Sequence, residues 1–414
     1  MIMSKYIIFY SYIYIRYCRG KALLYSLLDG GHILVEDPIL ASKISKVHNK
    51  PYYGFKISKS LLDNHLFISF ANEVKEKMFG EIIEKSVEHL PLVFQPVVDV
   101  KSYSLDDERI SSNLNSNQQD FEYFKHRMGT DIINNLYEIT LHINSASEIY
   151  KHRFAYKQYC YPFYSKSITL DLEWVKRELS VSFPNLEVIN LVIGEVNDGN
   201  LLDLLEFISY QSRFYRLSIY MFAHHFYQYR TDFILQDNIQ YILWLQGKDE
   251  LLRSYTSNVI LSILVENESE YRGCKKMLNI ENNTMLILPY CNKNNRDFCC
   301  RILSYTVKDL FSVKLKHNEI VSKSILNVNT FGSLVILPNG DIFSDINCRK
   351  LAVVSPDISL KEVIFLELVN SRNWFLTRKK VSPCKKCIFM NICPSITDME
   401  HFMNKYDFCD IYKT

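Results

Sequence analysis

Ser382-Pro383-Cys384-Lys385-Lys386-Cys387-Ile388-Phe389-Met390-Asn391-Ile392-Cys393-Pro394 is the stretch around which the chain is organised, and Cys409 follows it after a helix-length gap. The pattern is C-x2-C-x5-C-x15-C. Two thiolates separated by two residues face one metal centre from a single tight turn, a third closes from the next turn, and a returning segment supplies the fourth. Four sulfur donors suit an iron–sulfur cluster or zinc, not magnesium or calcium. The competing readings are two disulfides or four unrelated thiols. Against them stand the other cysteines, Cys18, Cys160, Cys274, Cys291, Cys299, Cys300 and Cys348, whose scatter fits reducing surroundings better than an oxidised framework. Spacing alone leaves both iron–sulfur and zinc open.

The chain has 414 residues, enough for two or three domains with sizeable cores. With 48 Lys+Arg against 46 Asp+Glu it has no basic excess, so nucleic acid is not expected as a partner. The apolar run over residues 6–15 lacks a small-residue cleavage site, is followed by Arg16 and Arg19, and is too short to span a bilayer. Its alternation of aromatic residues and Ile reads as a strand, and the expectation is a cytoplasmic protein with no membrane partner.

Residues 1–100 read as a first unit. Strands are expected at 12–15, 22–25 and 33–35, with turns at Cys18-Arg19-Gly20-Lys21 and Asp29-Gly30-Gly31, followed by helices over 38–46, 58–64 and 73–88. Three strands and three helices make a winged-helix-like module. The polar run over 101–120, with Ser111-Ser112-Asn113-Leu114-Asn115-Ser116-Asn117, reads as a linker. Over 121–325 strands alternate with segments able to cross over as helices, which predicts an α/β arrangement with a largely parallel sheet. The strands are expected at 137–143, 188–193, 217–222, 241–245, 259–265 and 285–288, with helices at 170–179 and 201–210. Six such units suit a partial (β/α)6 TIM-like barrel, whose chemistry belongs just after the carboxyl ends of the strands. Residues 326–414 hold an Asn339-Gly340 hairpin and then the four cysteines.

Side chains outside the tail carry less. His224-His225 reads as a satisfied loop pair, Cys299-Cys300 as helix residues, and Asp341 and Asp345 as hairpin surface. No phosphate-binding glycine loop or nucleophile elbow is present in the sequence.

Three stretches carry a resemblance. Leu23-Leu24-Tyr25-Ser26-Leu27-Leu28-Asp29-Gly30 resembles the PqqD-like domains that hold the leader of a precursor peptide by adding it to a sheet edge. Ile193-Gly194-Glu195-Val196 is similar to the Gly-Gly-Glu-Pro segment that contacts the methionyl amine of S-adenosylmethionine (SAM) in radical-SAM enzymes, with Gly194 and Glu195 matching and Ile193 and Val196 departing. The hairpin followed by C-x2-C-x5-C resembles the SPASM domain that ends many peptide-modifying members of that family. The C-x3-C-x2-C triad of the family is missing, since the loop after the first barrel strand holds Cys160 alone. The chain therefore resembles a pseudo-radical-SAM/SPASM protein of double-glycine-leader peptide systems.

The resemblance implies that Cys384, Cys387, Cys393 and Cys409 hold one [4Fe-4S] cluster, with zinc as the alternative, and that no radical-SAM cluster forms. A second SPASM cluster has lost its ligands: Asn329, Asp345 and Thr397 stand where cysteines would, and Cys348 reads as an isolated thiol. The implied function is a non-catalytic accessory or scaffold in ribosomal peptide maturation, binding a precursor leader peptide beside a partner maturase or exporter. The competing readings are a peptide-modifying enzyme using non-radical chemistry at Glu195, and a zinc-ribbon interaction protein.

Overall fold

The computed structural model describes residues 3–96, 130–145, 155–156, 159–160, 168–233, 236–245, 258–278, 285–292, 294–371, 373–406 and 408–409. The expected linker at 101–120 lies outside the described residues, as does most of the loop from 146 to 167.

The aromatic run near the N-terminus forms two strands rather than one. β1 (Ser4–Phe9) and β2 (Ile13–Cys18) are separated by a turn in which Ile13 N donates to Tyr10 O at 3.0 Å. β3 (Lys21–Ser26), β4 (His32–Val35), β5 (Gly54–Lys56) and β6 (Gly80–Lys85) complete two antiparallel sheets, ordered β5-β1-β6 and β2-β3-β4. Helices Pro38–Ile44, Lys59–Leu62 and His65–Glu76 cover them. Ile7, Phe9, Ile15, Leu24, Tyr53 and Phe67 belong to the one core they share.

The helix expected over 73–88 is a correction. Helical structure ends at Glu76, Met78 takes φ +58°, and Gly80–Lys85 is a strand paired with β1 along all six of its residues. The glutamates and lysines of this stretch favour a helix locally, but pairing with β1 decides the outcome. Gly80 makes the approach possible, because a Cβ there would lie 2.1 Å from the Ile8 carbonyl oxygen. The unit thus has six strands where three were expected.

The strands expected in the middle of the chain all form, with bounds within two residues of the reading. They are β7 (Glu138–His142), then, after a small β8 (Ala155–Tyr156) and β9 (Tyr159–Cys160) hairpin, β10 (Val188–Val192), β11 (Arg216–Phe222), β12 (Ile239–Trp244), β13 (Val259–Val265) and β14 (Met285–Pro289). β15 (Ser333–Ile336), β16 (Asp341–Phe343) and β17 (Ala352–Val353) join them in a nine-stranded sheet, ordered β14-β13-β12-β11-β10-β7-β15-β16-β17. Every pairing from β14 to β15 is parallel, and the last two are antiparallel. What forms is an open, mostly parallel sheet with β14 and β17 at its edges. The Asn339-Gly340 turn forms as read, with Gly340 at φ +84°. Its hairpin is no separate layer: β15 pairs with β7 from Ser333 opposite Glu138 onward, so the sheet runs across the boundary drawn at 325.

Alternation along the strands divides the sheet into two faces. Ile139, Leu141, Leu191, Ile219, Leu243 and Leu261 pack in one core with Trp174 of the Leu172–Leu179 helix, Phe207 of Leu201–Gln211 and Val363 of Leu360–Leu366. The opposite face carries Thr140, His142, Asn190, Tyr220, Trp244 and Ser262. Part of it lines a cavity of about 480 Å³ closed by Asn329, Thr397, Met399 and Phe408 of the C-terminal segment. Among the described residues, no helix is long and apolar enough to cross a membrane.

Candidate metal centre

The four tail cysteines converge. Cys384 opens a short 3-10 turn in which Cys387 N donates to Cys384 O at 2.9 Å, and Cys393 N donates to Phe389 O at 2.9 Å. Cys409 returns on a segment bridged to Tyr305. All four are free thiols and line one cavity together with Tyr305, Arg378, Glu400 and Tyr406. Phe389 N donates to Cys387 Sγ at 3.4 Å, and Cys384 Sγ donates to Tyr406 O at 3.0 Å. The Phe389 N–H aimed at the Cys387 sulfur is the kind of outer-shell contact that supports a thiolate ligand.

Two dimensions bear on the occupant. Among the described residues, no three of these sulfurs lie within 4.8 Å of one another, wider than the edge of about 3.8 Å that a tetrahedron of zinc–sulfur bonds would have. The space they enclose is only about 20 Å³. Donor chemistry fits either a cluster or zinc.

Arg378 is the residue that sequence reasoning missed. It is 6% exposed and pairs in fork geometry with Glu400, Nη1 to Oε1 at 2.8 Å and Nη2 to Oε2 at 3.0 Å. The same guanidinium donates to Pro394 O at 2.5 Å, Ser395 O at 3.3 Å and Cys384 Sγ at 3.5 Å. Burial pushes the Cys393 thiol up to about 12, with the Arg378 charge pulling it the other way, and burial raises Cys384 as well. A fixed cation beside four potential thiolates offsets the negative charge that a loaded site would carry. No spacing or motif marks an arginine for this role.

The cysteine loop also forms the seat of the N-terminal unit. Arg16 Nε donates to Cys387 O at 3.1 Å, Cys18 Sγ to Lys386 O at 3.2 Å, and Asn391 Nδ2 to Tyr14 Oη at 2.8 Å. Tyr14, Leu23, Tyr25, Leu315, Ile388 and Phe389 share one apolar cluster. Leu315 N donates to Tyr25 Oη at 2.8 Å. Part of the phrase at 23–30 that resembles a peptide-holding module is therefore committed to docking inside the chain.

Of the three positions where the resemblance places cysteines, each makes polar contacts instead. Asn329 Nδ2 donates to Ile396 O at 3.1 Å and Ser395 O at 3.3 Å. Thr397 caps the Asp398–Met403 helix in a reciprocal box with Glu400. Asp345 corrects its reading as hairpin surface: it is 4% exposed, folded inward by hydrogen bonds from Asn347. Cys348 is not an isolated thiol either, since its sulfur lies 3.5 Å from His401 Nδ1.

Gly194 and Glu195 follow β10, as expected of residues at strand ends, but their backbone is engaged. Asn144, just after β7, accepts from Gly194 N at 2.8 Å and Glu195 N at 3.0 Å and donates to Glu195 O at 2.6 Å; Asn200 Nδ2 donates to the same carbonyl at 3.1 Å. His224 and His225 sit in the first turn of the Ala223–Gln228 helix rather than in a loop, with rings 4.1 Å apart. Cys299 and Cys300 lie on the Arg296–Leu303 helix, as read.

Burial pushes His142 down to about 3, and burial followed by the neighbouring His224 takes His225 down to about 4. Both rings stay neutral in the folded chain over a range where the unfolded chain binds protons. Their contribution is therefore complete above about pH 6.5 and falls as the pH drops. For His142 alone the loss between pH 7 and 4.5 is about 3 kcal/mol. In urea titrations at the two pH values, His142→Gln is expected to make the acid loss smaller than in the parent by about that amount.

No protein-family model and no curated protein match the chain. Among solved structures it is similar to the crystal structure of Streptococcus suis SuiB, at 10% identity and TM-score 0.39, covering 97% of this chain and 99% of that one. The crystal structure of the same protein bound to S-adenosylmethionine matches at 11% identity and TM-score 0.37, covering 93% and 94%. Likeness at this level transfers neither fold nor activity.

Proposed function

We propose that the chain is a non-catalytic accessory or scaffold of ribosomal peptide maturation, a pseudo-radical-SAM/SPASM protein in which the N-terminal unit holds a precursor leader and the cysteine tail holds one [4Fe-4S] cluster. The observation that carries this is the pairing of a retained ligand set with a refilled one. Four cysteines gather at one cavity, while Asn329, Asp345 and Thr397 serve polar contacts where a second cluster would need sulfur.

In this reading Cys384, Cys387, Cys393 and Cys409 hold the cluster, and Arg378 offsets its charge and donates toward the Cys384 sulfur. A cluster with four cysteine ligands supplies folding energy or an electron relay and has no open iron for substrate. At the mouth of the sheet, Asn144 engages the Glu195 carbonyl and the Gly194 and Glu195 N–H groups, and the missing C-x3-C-x2-C triad supports the absence of radical initiation. The leader would add to a free sheet edge. β6 is one such edge and carries Ile82 at 48% exposure.

Anaerobically purified protein is expected to be brown, with about four irons per chain, and to yield no 5′-deoxyadenosine from SAM and a reductant. It is expected to retain a double-glycine leader peptide in a direct binding assay. Turnover of SAM would overturn the non-catalytic reading, and no affinity for any such leader would overturn the accessory role. A zinc-ribbon interaction protein is the second reading, favoured by the small volume between the thiols; colourless protein with one zinc in the tail would select it.

A further inference from the structure

Asp345, Cys348 and His401 form a second group of donors, apart from the four-cysteine cavity. Asp345 and Cys348 belong to the turn after β16, where Cys348 N donates to Asp345 O at 2.9 Å, and His401 belongs to the Asp398–Met403 helix. Their donor atoms all lie within 4.8 Å of one another. The 3.5 Å between Cys348 Sγ and His401 Nδ1 is about the edge of a tetrahedron with a zinc–sulfur bond of about 2.3 Å and a zinc–nitrogen bond of about 2.0 Å.

The site is built and buried. Asn347 fixes Asp345 Oδ1 through its backbone N–H at 2.7 Å and its side-chain amide at 3.0 Å. This is the outer-shell orientation that metal-binding carboxylates receive. The other oxygen, Asp345 Oδ2, is sealed from solvent with no hydrogen-bond partner, and so is His401 Nε2. Asp345 is 4% exposed and His401 9%. A buried carboxylate oxygen without a donor calls for a cation or an ion-bound group. Asp345, Glu367 and Asp398 all place negative charge near Cys348, which adds to the pull on a cation.

We propose that Asp345, Cys348 and His401 bind one divalent transition-metal ion, zinc in the first place, in a mononuclear site separate from the tail cysteines. The mixed thiolate, imidazole and carboxylate set selects zinc or cobalt over magnesium or calcium. Three protein ligands leave a fourth tetrahedral position for water or another ligand. Cys348 releases its proton to solvent as the ion binds. This site does not depend on what the tail cysteines hold. The two meet at one helix, where Glu400 turns to Arg378 and the next residue, His401, turns to Asp345 and Cys348.

The test uses the full chain, purified anaerobically with its tail metal retained and stripped of loosely held ions. Titration with Co²⁺ is expected to give a thiolate-to-cobalt charge-transfer band that Zn²⁺ abolishes. Cys348→Ser and His401→Gln are each expected to bind one metal equivalent fewer than the parent, with iron content unchanged. If either variant fails to fold by circular dichroism, Asp345→Asn, which keeps the volume, decides by the same difference. Folded triad variants with the parent's metal count would overturn the proposal, as would a cobalt band of undiminished intensity in Cys348→Ser. A tail without iron would count against the accessory reading and leave the one-equivalent difference intact.

Discussion

Arg378→Met is expected to destabilise the chain by about 3–5 kcal/mol, because it strands the buried Glu400 carboxylate without its partner. Glu400 is 3% exposed, and the guanidinium it would lose also serves the carbonyls of Pro394 and Ser395. A methionine fills the volume and leaves a charge and two carbonyls undersatisfied. Urea unfolding of the parent and the variant measures the loss. Adding Glu400→Gln removes the stranded charge while keeping a side chain able to complete the cap with Thr397, so the double variant is expected to recover part of the stability. Parent-like stability of Arg378→Met would show that the pair does not hold the tail together.

With the tail metal proposed above, Cys387→Ser and Cys393→Ser are expected to abolish metal uptake at the tail and, with it, folding energy on the order of 10 kcal/mol, comparable to the stability of a whole domain. The effect should not stop at the tail. Arg16, Cys18 and Tyr14 reach the backbone and side chains of residues 386–391, so a disordered cysteine loop removes the floor beneath β2 and β3. Hydrogen exchange is expected to quicken at 384–409 and at 13–26 together, while β10 to β12 keep their protection. Loss of the metal with unchanged protection of β2 would show that the N-terminal unit stands independently of the cysteine loop.

The parallel strands from Glu138 to Pro289 were legible because each is a short apolar run rich in Val, Ile and Leu, bounded by polar residues, and such a run has few alternatives to a buried strand. The four cysteines were legible for a similar reason, since their spacing is largely local, and the structure brings all four to one cavity. The stretch from Glu73 to Lys85 was not. Its composition permits either structure, and β1, seventy residues earlier, supplies the pairing that decides it.

Residue types and local spacing by themselves determined the α/β class, the Asn339-Gly340 turn and the candidate thiol set. Only the tertiary structure brought Arg378 to those thiols, engaged Gly194 and Glu195 through Asn144, and set His401 beside Asp345 and Cys348 more than fifty residues away. The division has a physical cause. Propensity and periodicity act over a few residues, whereas a buried charge or a lone histidine has no local signature and takes its partner from whatever segment the packing delivers.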